Sequence, residues 1–129
     1  IIILSFGSVI NVCQDVSNKL NCTLIDMRFV KPIDENIINE SIKKYSLIVT
    51  VEDNSIMGGA GSAVNEVISK NNYQAKTLNI GVPDKFFSHA TREEQLVDSG
   101  ISADNIIKKI KKYIKNNNLY DLNHSSKIR

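Results

Sequence analysis

The residues best placed to do chemistry lie in the stretch Val51-Glu52-Asp53-Asn54-Ser55-Ile56-Met57-Gly58-Gly59-Ala60-Gly61-Ser62, where an apolar run ends in two acids and a glycine cluster follows. The pattern reads as a strand, a tight turn and a helix start. Glycines at such a junction permit a left-handed backbone and close chain approach, and the free N–H groups of a first helical turn attract an anion or a neighbouring carbonyl. Glu52, Asp53, Gly58, Gly59, Gly61 and Ser62 are therefore candidate contacts for an anion or for another protein surface. A structural reading of the same residues has the glycines bring the helix close to the sheet, with Ser55 or Ser62 helping to cap it.

A second group follows the next apolar run. His89 lies near Asp84, Lys85 and Arg92, and a histidine among charged groups can move a proton near neutral pH. No serine, cysteine or second histidine is spaced to form a triad with it, so a loop hydrogen-bonding role outweighs catalysis. Arg92 and Lys85 have the chemistry to hold a phosphate or a partner carboxylate. Phe86 and Phe87 point to opposite sides of the chain, so at least one is expected to cover an inter-domain or inter-subunit surface.

The glycine cluster fails two phosphate-binding fingerprints. No Lys-Ser or Lys-Thr follows Gly61, which removes the phosphate-gripping lysine of a P-loop. Gly59 and Gly61 match the first two glycines of a dinucleotide site, but Val64 stands at the third and the next strand carries Asn79 where an acid is needed.

The elements that must position these residues alternate. An opening apolar strand leads through Gly7 and Ser8 to an amphipathic helix with Val9, Val12, Cys13, Val16 and Leu20 at helical spacing. A strand is predicted at 23–27. Asp34 then caps a second helix, with Ile33 stapled onto Ile38 and an inner stripe of Ile38, Ile42 and Tyr45. The run 47–51 has the composition of a central strand covered on both faces. Ala60, Ala63, Val64, Val67 and Ile68 form the inner face of a third helix that Asn71-Asn72 stops, and 76–80 reads as another strand. Thr91 and Glu94 have capping-box spacing, Gly100 suits a left-handed cap, and Ser102 caps a lysine-rich last helix. This order predicts an α/β fold, a three-layer α/β/α sandwich with a mostly parallel sheet of four or five strands. Residues 1–115 are read as one domain and 116–129 as a flexible polar tail.

Composition narrows the partners. The 129 residues carry 16 basic and 14 acidic side chains, a formal charge of +2, which gives no electrostatic case for nucleic acid or for a membrane surface. Lys108, Lys109, Lys111, Lys112 and Lys115 alternate with isoleucines as the solvated face of a helix. Two cysteines, Cys13 and Cys22, indicate neither a zinc site nor a redox pair. No apolar run approaches the roughly 18 residues of a membrane span. The opening Ile1-Ile2-Ile3-Leu4 reads as a buried strand and not a natural terminus, so the chain looks like an excised piece, and any targeting sequence or upstream catalytic domain would lie outside it.

The glycine stretch, read with Leu78-Asn79-Ile80-Gly81-Val82-Pro83-Asp84-Lys85-Phe86 and Thr91-Arg92-Glu93-Glu94-Gln95-Leu96, resembles the C-terminal domain of the 1-deoxy-D-xylulose-5-phosphate synthases, in the transketolase superfamily. The likeness covers about 113 residues. It implies a parent enzyme that joins pyruvate to glyceraldehyde 3-phosphate with loss of carbon dioxide, using thiamine diphosphate and a magnesium ion bound by upstream domains. The superfamily's metal-binding Gly-Asp-Gly with a distant Asn is missing from this chain, so no catalytic, cofactor or metal residue carries over. What carries over is structural: Glu52, Gly58, Gly59, Gly61 and Ser62, then Gly81, Pro83, Asp84 and Phe86. The resemblance implies an assembly domain packed against the upstream domains of its own chain and a second copy in a homodimer. Transketolases and the β subunits of 2-oxo-acid dehydrogenases end in related domains. An independent module that binds an anion or nucleotide at the glycine-rich helix start is the competing reading. Heavy use of Ile, Asn and Lys tilts the expected location toward a plastid-type organelle, with bacterial cytoplasm as the alternative.

Overall fold

The computed structural model describes residues 1–83, 91, 94–95 and 98–120. Its elements run β1 (Ile2–Phe6), α1 (Ile10–Leu20), β2 (Thr23–Asp26), α2 (Glu35–Lys44), β3 (Ile48–Ser55), α3 (Ala60–Lys70), β4 (Thr77–Val82) and α4 (Ala103–Asn116). The strands form one sheet in the order β2-β1-β3-β4, and every pairing is parallel. Among the described residues the sheet has four strands, the lower end of the expected number.

Alternation along the strands assigns the two faces. Ile2, Leu4, Phe6 and Ile48 pack with Ile38 of α2 and with Ala60, Val64, Val67 and Ile68 of α3. Ile3, Val49, Val51 and Ile80 pack with Val9, Cys13 and Val16 at α1 and with Ile106 and Ile110 of α4. The sheet is thus the middle layer between α1/α4 and α2/α3, as the alternating pattern predicts. All five residues of β1 are buried, which is why all but Ser5 are apolar, and the Ser5 hydroxyl donates to Ile25 O at 3.3 Å. Each fully buried isoleucine or leucine contributes on the order of 1.5–3 kcal/mol through removal from water.

The helix ends are fixed by the residues that their types predict. Asp34 accepts the Ile37 N–H at 3.1 Å, and Ser102 accepts that of Asn105 at 3.3 Å. Thr91 and Glu94 form the reciprocal capping box, with N–H to side-chain distances of 3.0 and 3.3 Å. Gly100 has φ +82°, the left-handed conformation expected of it. Two strands are longer than their apolar runs. β3 continues through Glu52, Asp53 and Asn54 to Ser55, and β4 continues through Gly81 to Val82, because backbone pairing does not require apolar side chains. β2 is one residue shorter than expected, ending at Asp26, although the Met27 N–H still bonds Ser5 O at 2.9 Å and its side chain is buried.

Cys13 lies in the core with its thiol pushed up to about 12 from an ordinary 9.0 by burial, with the nearby Cys22 sulfur adding to it. The Cys22 thiol is also raised, chiefly by burial. A thiolate is the reacting form, so neither sulfur should react with a thiol reagent at pH 8 in the folded protein, and both should react in denaturant. The pH dependence has a definite sign. Below pH about 9 Cys13 holds its proton folded or unfolded, and above it only the unfolded chain releases the proton, so the stability contribution falls as pH rises from about 9 toward 12. Titration of the free thiols with Ellman's reagent, with and without urea, checks the reactivity.

Candidate functional site

β3 carries the two acids to the carboxyl edge of the sheet, where open parallel sheets place ligand crevices and interfaces. The period of two sends them to opposite faces. Ile48, Thr50 and Glu52 face α3, while Val49, Val51 and Asp53 face α1. Between Val51 and Ser55 the β3–β4 register shifts, with Val51 opposite Ile80 but Ser55 opposite Val82. Such a bulge lets a strand bend and re-aims its side chains. Here it spans Glu52, Asp53 and Asn54.

The Glu52 side chain is 1% exposed. Its Oε2 accepts the Ala60 N–H at 2.8 Å and its Oε1 accepts the Gly61 N–H at 3.1 Å. A carboxylate from the middle of the sheet therefore sits where the α3 dipole is positive and satisfies two of the amides that a helix start leaves unpaired. The expected serine cap is corrected. Gly59 is the N-cap residue and makes no side-chain bond, and Ser62 Oγ instead donates to the Ile56 carbonyl at 3.2 Å. Glu52 stands eight positions before Ala60, so the cap reaches across the turn and is not local.

The glycines make that contact possible. A Cβ at Gly59 would fall on the Glu52 carboxylate and the Ser55 carbonyl, and one at Gly61 would lie 2.7 Å from Thr50 Oγ1 and 2.9 Å from Asn79 Cγ. Gly81 is equally tight, with Asn54 O at 2.9 Å and Glu52 Cγ at 3.0 Å from the same imagined atom. Gly58 serves differently, since its φ of +69° turns the chain into the helix and open space surrounds it. Beneath Gly61, Thr50 Oγ1 donates to Asn79 Oδ1 at 2.9 Å across paired strands. Asn79, at the position where a ribose-binding acid would stand, is thereby turned inward.

Asp53 braces the neighbouring turn. Its Oδ2 accepts the Ser8 N–H at 3.0 Å and the Ser8 hydroxyl at 2.7 Å, tying the end of β3 to the loop between β1 and α1. Of the ten candidate residues, the structure gathers Glu52, Asp53, Gly58, Gly59, Gly61 and Ser62 around one edge of the sheet. Asp84, Phe86, His89 and Arg92 lie outside the described residues, as do Lys85 and Phe87. Residues 121–129 of the polar tail lie outside them too, while Leu119 donates its N–H to Ile114 O and packs on the core.

The group that the resemblance implies can be tested against this site. Among the described residues no three His, Cys, Asp or Glu side chains stand together as metal ligands. The amides best suited to a diphosphate already hold Glu52. The described residues therefore do not fit thiamine diphosphate or its magnesium ion. Among the described residues no helix is long and apolar enough to cross a membrane.

Comparison with known proteins decides the family. The profile described as "Transketolase, C-terminal domain" matches residues 1–106. The chain belongs to the transketolase C-terminal domain family. Among similar curated proteins, the 1-deoxy-D-xylulose-5-phosphate synthase of Blochmanniella pennsylvanica is 47% identical over 114 residues, 88% of this chain and 18% of that protein. Those of Pseudoalteromonas translucida and Pectobacterium atrosepticum are 44% and 45% identical over 87% of this chain, again 18% of each relative. All three relatives are bacterial, and the chain spans about a fifth of their length. A solved structure, "Split gene transketolase, inactive beta4 tetramer", superposes with a TM-score of 0.79 at 28% identity, covering 88% of this chain and 39% of that one. The resemblance read from the glycine stretch and the Gly81-Val82-Pro83 turn is thereby borne out.

Proposed function

We propose that this chain is the C-terminal assembly domain of a 1-deoxy-D-xylulose-5-phosphate synthase. The parent enzyme condenses pyruvate with glyceraldehyde 3-phosphate and releases carbon dioxide, with thiamine diphosphate and magnesium bound by domains that precede this one. Residues 1–115 form the domain and residues 116–129 a polar tail, the start of which folds back so that Leu119 packs on the core. The observation that carries the reading is identity of 44–47% over nearly nine-tenths of this chain to enzymes of that name, of which it spans 18%. Its glycines and buried acid supply rigidity at the sheet edge. They offer no reacting group, which supports an architectural role. The domain packs on the upstream part of its own chain and takes part in a homodimer, a reading that the oligomeric transketolase neighbour supports. Bacterial relatives favour bacterial cytoplasm over the plastid-type organelle to which composition tilts.

The test uses the complete gene product. With thiamine diphosphate and magnesium it should form deoxyxylulose phosphate from pyruvate and glyceraldehyde 3-phosphate, and residues 1–129 alone should form none. Turnover by residues 1–129 alone, or an inert complete product, would defeat the reading. The structural neighbour favours one second reading, the equivalent domain of a transketolase. A transketolase reaction of the complete gene product would then replace the synthase reaction.

A further inference from the structure

At the carboxyl edge of the sheet the loops after β2 and β3 each hold a large apolar side chain out in solvent. Phe29 is 67% exposed and Met57 is 76% exposed. β1 lies between their strands, so β2 and β3 are two strand spacings, about 10 Å, apart, with the exposed Gly7-Ser8 turn between the two loops.

Both loops are held firmly. Phe29 donates its N–H to Met27 O at 2.6 Å, and Arg28, at φ +60°, is anchored by its own N–H to Asp26 Oδ1 at 3.3 Å. Met57 stands between Ile56, whose N–H bonds Val82 O at 3.1 Å, and the left-handed Gly58. The Glu52 and Asp53 contacts brace this same edge from below. A rigid backbone that presents Phe and Met outward has the composition of an interface centre, and the exposed Arg28 and Lys31 supply a polar rim beside Phe29.

We propose that this edge, with Phe29 and Met57 as its anchors, docks the domain onto the part of the same polypeptide that precedes it. The inference rests on the functional reading above, since the relatives carry about four-fifths of their length outside the matched segment. Size selects the tethered partner over a free second copy. Two side chains expose far less than the roughly 800 Å² per partner of a stable bimolecular interface. A covalently joined domain, at an effective concentration on the order of millimolar, needs much less area to stay docked. The occupant is therefore an apolar surface of the upstream chain, with a carboxylate to meet Lys31, since Arg28 already pairs with Asp26 at 3.7 Å.

Replacing Phe29 or Met57 in the complete gene product with the photocrosslinker p-benzoylphenylalanine tests this directly. Lys112, on the solvated face of α4, serves as the control position. A circular dichroism spectrum matching the parent shows that each variant has folded, and the crosslinks are read whether or not turnover survives the change at an anchor. Mass spectrometry should find residues 29 and 57 joined to peptides upstream of Ile1 in the same chain, and residue 112 joined to none. A crosslinked product of twice the chain mass from residues 29 and 57, or no crosslink from a folded protein, overturns the proposal. An inert gene product, or one with nothing ahead of Ile1, defeats the functional reading as well, so the two failures are told apart.

Discussion

Glu52→Ala should lower the stability of the domain by about 3–5 kcal/mol. The substitution removes the acceptor of two buried amides, at Ala60 and Gly61, and each unsatisfied donor costs about 1–3 kcal/mol. It also leaves a void beside Gly81, where an added Cβ would come within 3.0 Å of Glu52 Cγ. Glu52→Gln keeps the shape but turns an NH₂ group toward one of the two amides, so it should lose about half as much. Against a total of about 5–15 kcal/mol for a domain of ordinary stability, the alanine variant should be close to unfolding at 37 °C. Urea denaturation followed by circular dichroism checks this. The midpoint should fall with an unchanged slope, because the loss lies in the native state and not in the surface exposed on unfolding. A midpoint within error of the parent would show that the carboxylate does not hold the start of α3.

The layered fold was legible because its signals are local. Ser102, Asp34 and the Thr91–Glu94 pair cap the helices that their types predict, and β-branched runs mark β1, β3 and β4. The strand ends were less legible, since the bulge in β3 is set by pairing with β4 and leaves no mark in the composition of Glu52-Asp53-Asn54. The candidate site was half legible. Two acids followed by glycines announced a strand, a turn and a helix start, and the period of two placed those acids on opposite faces. The partner of each acid is a tertiary fact. Glu52 bonds to amides eight and nine positions away, and Asp53 to a serine 45 positions away, distances at which no spacing rule operates. Ser55 and Ser62 stand nearer in sequence, so spacing alone favours a local cap there.

The same geometry explains why the helix start invites comparison with phosphate sites without being one. Those fingerprints share the glycine turn and the outward amides of a helix N-terminus, and differ in what fills the space between them. In this chain the filler is built in. An anion supplied from solution would have to displace a carboxylate that is already desolvated, bidentate and tethered by its own strand. A glycine-rich turn is thus compatible with either a ligand cradle or a closed joint, and the acid at the end of the preceding strand decides between them.

Gly59→Ala should cost about 3 kcal/mol, and the cost should shrink when Glu52 is also alanine. The backbone at Gly59 has φ −86° and ψ −164°, a conformation that any residue adopts, so the penalty is steric. Its Cβ would press on both the Glu52 carboxylate and the Ser55 carbonyl, and overpacking of this kind typically costs about 1–3 kcal/mol. The carboxylate's part of the clash vanishes in Glu52→Ala, whereas the Ser55 carbonyl, being backbone, stays. The double variant should therefore be more stable than the sum of the single losses by about 1–2 kcal/mol, the coupling expected of groups in direct contact. Strict additivity in urea titrations of the four proteins would mean that the carboxylate moves aside freely, and that the two amide bonds do not fix its place. Gly61→Ala provides the contrast, because its Cβ meets Thr50 and Asn79 and not Glu52, so its loss should add to that of Glu52→Ala more nearly.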